Sequence, residues 1–129
     1  LSYLIELKTI KNVVVCGDLN VAHLNSDINK PKSKKNKVPG FFDFERKDFG
    51  IMIETLDFVD AYRWKNPNAR KSTYWSNFLK HARSSDNGWG IDYFLISRQL
   101  FERNTDISLE ILSHVNGSDH CPVVLMIDV

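Results

Sequence analysis

The sequence predicts a layered α/β domain, an α+β layered sandwich built on a mixed β-sheet. Three observations predict it. Strand-length runs rich in apolar and β-branched residues recur at residues 13–16, 91–96, 107–112 and 122–127, the first of them uniformly apolar. Segments with helical apolar spacing alternate with them, at residues 1–10, 45–56 and 98–103. The length of 129 residues, with no internal repeat and no linker, fits one domain around one core.

Taken in order, Leu1, Leu4, Ile5 and Leu7 give the first helical spacing, which fades at Lys11-Asn12. Val13-Val14-Val15-Cys16 predicts a fully buried strand that ends at Gly17. Residues 26–40, rich in Lys, Asn, Ser and Pro, form a long loop, and loops of that length inside compact domains are usually functional or mobile. The next helix carries Phe49, Met52, Ile53 and Leu56 on one face. Asp43 is its expected N-cap, and with Arg46 three residues on, a full capping box is not expected. Residues 59–63 make a short strand or turn, closed by Asn66-Pro67-Asn68. A strand at residues 73–75, a polar stretch at 84–88 and the apolar run from Ile91 follow. The last two strands enclose the loop Asn116-Gly117-Ser118-Asp119-His120.

Composition narrows the class. An apolar fraction of 43% argues for a folded chain. Net charge is only +1, so a general attraction to nucleic acid is not visible in the total, but charge is sorted: residues 30–37 hold five lysines and no acid. Cys16 and Cys121 lie beside apolar runs without a C-x-x-C spacing, which predicts reduced core thiols rather than a disulfide framework. No apolar run approaches the ~18–20 residues of a membrane span, so no membrane partner is expected. The first residues lack the basic lead-in and cleavage site of a signal peptide, and lack an initiator Met. The expectation is an intracellular protein from which this chain is a piece.

The chemistry concentrates at three places. Asp18 and Asn20 follow the valine run, Asp92 is embedded in an apolar strand, and Asp119-His120 opens onto another. A carboxylate against apolar neighbours costs desolvation energy unless a metal, cation or donor meets it. Strand ends from separate parts of a sheet converge on one edge in layered α/β folds. Asp and Asn oxygens suit Mg²⁺ or Mn²⁺, and a carboxylate-held divalent ion with an imidazole nearby is the equipment of phosphoester hydrolysis. Each site has a plainer reading alone: Asp18 as a turn cap, Asp92 as a carboxylate satisfied by backbone donors, Ser118-Asp119-His120 as an ordinary loop. Their joint occurrence favours function. His23, His81 and His114 have no such context and read as structural or surface groups.

Gly17-Asp18-Leu19-Asn20-Val21-Ala22-His23, Gly88-Trp89-Gly90-Ile91-Asp92-Tyr93-Phe94 and Gly117-Ser118-Asp119-His120-Cys121-Pro122 together resemble three motifs of the exonuclease III family, in order and in its apurinic/apyrimidinic endonuclease form. The resemblance spans essentially the whole chain and about half of a family catalytic domain. It implies that residues 1–129 are the C-terminal half of a four-layer αββα sandwich. It further implies a base-excision-repair endonuclease that cuts 5′ to an abasic site in double-stranded DNA with Mg²⁺, Mn²⁺ being the alternative. Asp18 would orient or deprotonate the attacking water, Asn20 would hold the scissile phosphate, and His120 would contact a phosphate oxygen. Asp92 would fix the His120 ring and favour its charged form. Asp119, with Asp18 and Asn20, would bind metal. Tyr74, Trp89 and Ile91 would form the pocket for the base-less sugar, and Lys30, Lys32, Lys34, Lys35 and Lys37 would touch the DNA backbone.

The family's first half supplies an Asn and a Glu at the metal and a catalytic Tyr. This chain alone is therefore expected to be inactive, to expose one apolar sheet face, and to pair with a chain carrying the first half or with itself. The implied location is nuclear, with mitochondria as the alternative. Gly-Asp-x-Asn and Ser-Asp-His also occur across the wider superfamily, so retroelement endonucleases, DNase I-like nucleases and phosphoinositide phosphatases remain open. So does a non-catalytic remnant that binds DNA or a protein.

Overall fold

The computed structural model describes residues 1–104 and 106–128. Helix α1 (Ser2–Ile10) leads into strand β1 (Val14–Asp18). A 3-10 turn at Asn25–Asp27, helix α2 (Pro31–Lys34) and helix α3 (Asp43–Thr55) follow, then strand β2 (Phe58–Asp60) and helix α4 (Ala61–Lys65). Strand β3 (Asp92–Ser97), helix α5 (Arg98–Arg103) and strands β4 (Ser108–Ile111) and β5 (Val123–Met126) complete the chain. One sheet has the order β1-β3-β2, and β4 and β5 form a second. The expected layered α/β class is the one the chain adopts, and all its strand pairings are antiparallel, so no parallel pair occurs among the described residues.

Strand β3 is central, and Leu95 and Ile96 are completely buried. On one side Leu95 and Tyr93 pack with Phe49 of α3, Leu56 and Phe58. Beside them Ile96 meets Val59, Ala61, Phe101 and Ile107, covered by Leu109 and Leu125 from the second sheet and by Ile127 just after it. The second cluster joins the two sheets, because it packs Ile96 of β3 against Leu109 and Leu125 of β4 and β5.

Several expectations need correction. Strand β1 is not fully buried: Val14 and Cys16 are exposed, because β1 is an edge strand and one of its faces has no covering element among the described residues. Cys16 is therefore not a core thiol, whereas Cys121 is. Helix α3 begins one residue earlier than expected: Phe42 is the N-cap and its amide donates to the Glu45 carboxylate at 2.9 Å. The acidic half of a capping box is thus present, shifted by one position. The strand expected at residues 59–63 stops at Asp60, whose carboxylate accepts from the Tyr62 and Arg63 amides and so starts α4 instead. Residues 73–75 form isolated bridges rather than a ladder. The expected long loop carries a helical turn begun by Pro31, whose ring presets the helical φ. No described helix is long and apolar enough to cross a membrane.

Candidate active site

The site is assembled at the end of the β1–β3 pair. Gly17 has φ +127, a conformation open to glycine, and it turns the chain so that Asp18 ends the strand. The Asp18 carboxylate then accepts the Asn20 amide at 2.8 Å, and Asn20 takes a left-handed φ of +53 that its short polar side chain tolerates. Asp18 is thus a turn cap as well as a site residue. Gly40 packs against this turn: a Cβ there would lie 2.5 Å from the Asn20 carbonyl oxygen. The same glycine's carbonyl accepts from Ala22, so the lysine-bearing loop is tied back to the site.

Asp18 and Asp92 stand directly opposite each other in the β1–β3 register. Like charges in that position repel. The His120 imidazole lies between them, Nδ1 at 2.9 Å from Asp92 Oδ2 and Nε2 at 3.8 Å from Asp18 Oδ2. An ionised carboxylate only accepts, so Nδ1 carries the hydrogen toward Asp92 and Nε2 is left facing Asp18 and the cleft. Behind Asp92, the buried Thr73 hydroxyl donates to the same Oδ2 at 2.6 Å and accepts from the Ile91 and Asp92 amides at 3.2 Å. The result is a chain Thr73–Asp92–His120 whose outer end is half exposed. Sequence reasoning missed Thr73, and nothing in its sequence setting distinguishes it from a structural threonine.

Residues 73–75 thread between two arms of the site. Tyr74 bridges to Trp89 on one side and to His120 on the other, and its ring centroid lies 4.9 Å from that of His120. Asp18, Asn20, Tyr74, Trp89, Ile91 and His120 line a cleft of about 300 Å³, joined by Pro39, which the sequence did not single out. Six of the expected residues are therefore in one place, with Asp92 directly behind.

Asp119 is not among them. Its backbone carbonyl accepts from Trp75, and the residue lines a second, larger cleft of about 640 Å³ beside Trp75 and Arg83. The larger cleft lacks the imidazole–carboxylate array, so the smaller one holds the chemistry. Among the described residues, no three His, Cys, Asp or Glu side chains converge to hold a metal ion. Asp119, Asp18 and Asn20 thus do not form a closed ligand set in this chain, although their oxygens match a hard cation chemically.

The lysines divide. Lys30, Lys32 and Lys37 are exposed, and Lys35 pairs with Asp43 at 3.4 Å. Lys34 instead folds back, its ammonium 5.3 Å from the centroid of the Trp89 ring, and burial lowers its pKa, helped by Arg70 and Lys30. Arg70 clamps the approach to Trp89 by bonding Asp86 and the Gly88 carbonyl. His23, expected to be structural, packs on Phe49 with its pKa lowered by burial.

A layered α/β body with a carboxylate–imidazole array and an aromatic-walled cleft at one sheet edge is a design suited to hydrolysis. The chain belongs to the Endonuclease/Exonuclease/phosphatase family, whose profile matches residues 2–120. It is 43% identical over its whole length to an exodeoxyribonuclease of Bacillus subtilis, covering 50% of that protein. It is 41% identical over 98% of its length to a DNA-(apurinic or apyrimidinic site) endonuclease of Dictyostelium discoideum, covering 34% of it. Among solved structures, an AP endonuclease from Archaeoglobus fulgidus superposes with a TM-score of 0.78 and 30% identity, over 99% of this chain and 53% of that one. The chain spans half or less of the length of these curated relatives.

Proposed function

We propose that residues 1–129 are the C-terminal part of a single catalytic domain that hydrolyses the DNA phosphodiester 5′ to an abasic site, leaving a 3′-hydroxyl, by magnesium-assisted attack of water. The observation that carries this reading is the position of His120, held by Asp92 and facing Asp18 at the mouth of the cleft of Tyr74, Trp89 and Ile91. The names of the relatives, an exodeoxyribonuclease and an abasic-site endonuclease, support DNA as the substrate class.

In this reading Asp18 orients the attacking water and accepts its proton, since its carboxylate faces the cleft. Asn20 donates to a phosphate oxygen, where negative charge grows in the transition state, and so does Nε2 of His120 in the doubly protonated ring that keeps its Nδ1–H on Asp92. Asp92 holds the His120 ring through Nδ1. The aromatic walls accept a flipped, base-less sugar and exclude a full nucleotide by size. Lys30, Lys32 and Lys37 neutralise backbone phosphates without reading sequence, and Lys34 joins them from the Trp89 face. A magnesium ion, or manganese in its place, would supply charge neutralisation. Asp18, Asn20 and Asp119 open on two clefts, so the ion needs further ligands from the half of the domain that the relatives contain. That half, on the same chain or another, is the proposed cover for the open face of β1. Self-association through that face is the alternative cover. The proposed site of action is inside the cell, in the nucleus, with mitochondria as the alternative.

The test joins this chain to the preceding half of the Bacillus subtilis relative and compares abasic duplex, intact duplex and inositol phosphates as substrates. Magnesium-dependent nicking confined to the abasic duplex is expected. Preference for either other substrate overturns the abasic reading, and equal loss of rate and binding on Asp18→Ala or His120→Ala favours a DNA-binding role instead. Robust nicking by the isolated 129 residues overturns the proposal that half a site is missing.

A further inference from the structure

We propose that Arg83 is a positioning residue for His120, acting through the loop that precedes it; the proposal rests on the assignment of His120 to the active site. Residues 113–118 are exposed, and Gly117 takes φ +116 with no atom within 4 Å of the space a Cβ would fill. A loop with so little packing of its own costs entropy to order. Its ends are closed where the Leu112 amide donates to the Pro122 carbonyl, the Trp75 amide to the Asp119 carbonyl and the Cys121 amide to the Thr73 carbonyl, but among the described residues the stretch 113–118 takes its long-range hydrogen bonds from one side chain.

That side chain is Arg83. Nε donates to the Ser113 carbonyl at 3.0 Å, Nη1 to Ser118 at 3.1 Å and Nη2 to Val115 at 2.5 Å. Three separate nitrogens thus reach three carbonyls spread along the loop, a task for the planar fork of arginine and not for the single nitrogen of lysine. The guanidinium itself is held in place on the Trp75 ring, 4.6 Å from its centroid. Trp75 in turn donates its backbone amide to the Asp119 carbonyl and its indole N–H to Asp86. Ser118, the last residue Arg83 grips, accepts the His120 amide through its hydroxyl at 3.1 Å. The line of contact runs from Trp75 to Arg83, to the Ser118 backbone, to the His120 backbone, and so to the angle at which the imidazole meets Asp92.

The readout is the tautomer of His120. With its ring held against Asp92, the neutral imidazole keeps its hydrogen on Nδ1; a released imidazole favours Nε2. Ring ¹⁵N–¹H correlation spectra of the labelled chain, recorded at alkaline pH, report which nitrogen carries it. In the wild-type chain the Nδ1–H form is expected to dominate. Arg83→Gln and Arg83→Lys should both shift His120 toward Nε2–H, while Lys80→Ala, an exposed neighbour on the same segment, should leave it unchanged. An unchanged tautomer in both Arg83 variants, or an equal shift in Lys80→Ala, overturns the proposal. Should the Arg83 variants lose the dispersed signals of Leu95 and Ile96, the wild-type guanidinium decides. Separate Nη signals from arrested rotation support the latch, and one averaged signal overturns it. None of these readouts uses DNA, so a failure of the joined enzyme to nick abasic duplex tells against the functional reading and leaves the latch standing.

Discussion

Thr73 is the residue on which the innermost part of the site depends. Its hydroxyl satisfies three partners at once, the Asp92 carboxylate and the Ile91 and Asp92 amides, in a position with no solvent to replace them. Thr73→Val keeps the shape but strands those groups, and an unsatisfied buried polar group costs about 1–3 kcal/mol. Urea unfolding should register that loss, with Thr73→Ser recovering most of it. In the joined enzyme the same valine should lower the nicking rate more than the affinity for abasic duplex, because it loosens Asp92 and hence the His120 ring. Equal rates for Thr73→Val and wild type would remove Thr73 from the mechanism.

At the scale of elements, the N-terminus of α3 and the lysine loop are joined through one amide. Asn36 accepts from the Asp43 amide at 2.7 Å and donates to the Asp43 carboxylate at 2.9 Å. That bond, ahead of the Lys35 and Arg46 charges, lowers the Asp43 pKa from its ordinary value. A depressed carboxylate pKa adds stability that is complete above the unfolded value and is lost as pH falls through the folded one. Asn36→Ala should therefore raise the Asp43 pKa toward 3.8 in an NMR titration, with only a small change in stability because the group is exposed. An unmoved Asp43 would mean that the loop is not held this way. The loop also carries the proposed phosphate contacts. Changing Lys30, Lys32 and Lys37 to Gln together should reduce the slope of log affinity against log salt by about three, one per lost contact.

For the whole molecule, two features stand against maximal stability of the isolated chain. Lys71 is 1% exposed, its ammonium has no hydrogen-bond partner, and it lies 3.5 Å from the centroid of the Tyr93 ring. Burial lowers its pKa, against the opposing pull of Asp60 and Asp27. The unfolded chain therefore holds this proton more tightly than the folded one, so this group makes stability rise with pH between the lowered folded value and the ordinary 10.5. Lys71→Met should flatten that dependence and stabilise the chain at neutral pH by about 1 kcal/mol or more, read from urea midpoints at several pH values. The second feature is exposed apolar surface: Val14 on the open face of β1, Val124 and Met126 of β5, and Tyr3, Ile5 and Ile10 of α1. Size-exclusion chromatography of the isolated chain should show self-association; a clean monomer at high concentration would count against that face being a buried surface of a larger body.

The strands expected at 13–16 and 91–96, the α3 face of Phe49 and Leu56, and the polar residues that follow or interrupt the apolar runs were all legible from the chain, although β1 and β3 run on to Asp18 and Ser97. Period and β-branching are local properties, and a carboxylate in an apolar run is conspicuous wherever it folds. Asp18, Asn20 and His120 could be nominated in this way, Tyr74, Trp89 and Ile91 only through the resemblance to family motifs, and all six meet in one cleft. What the tertiary structure alone decided is contact between segments distant in sequence. It put Thr73 behind Asp92, placed Asp119 in the lining of a different cleft, set Lys34 on Trp89 and closed Arg83 on the loop before His120. Those choices depend on the register of β1 against β3 and on backbone carbonyls that any residue could have supplied, so no side-chain pattern announces them. Burial was decided in the same way: Cys16 lies in an apolar run, yet it is exposed, because exposure depends on what covers a face and not on the residue that forms it.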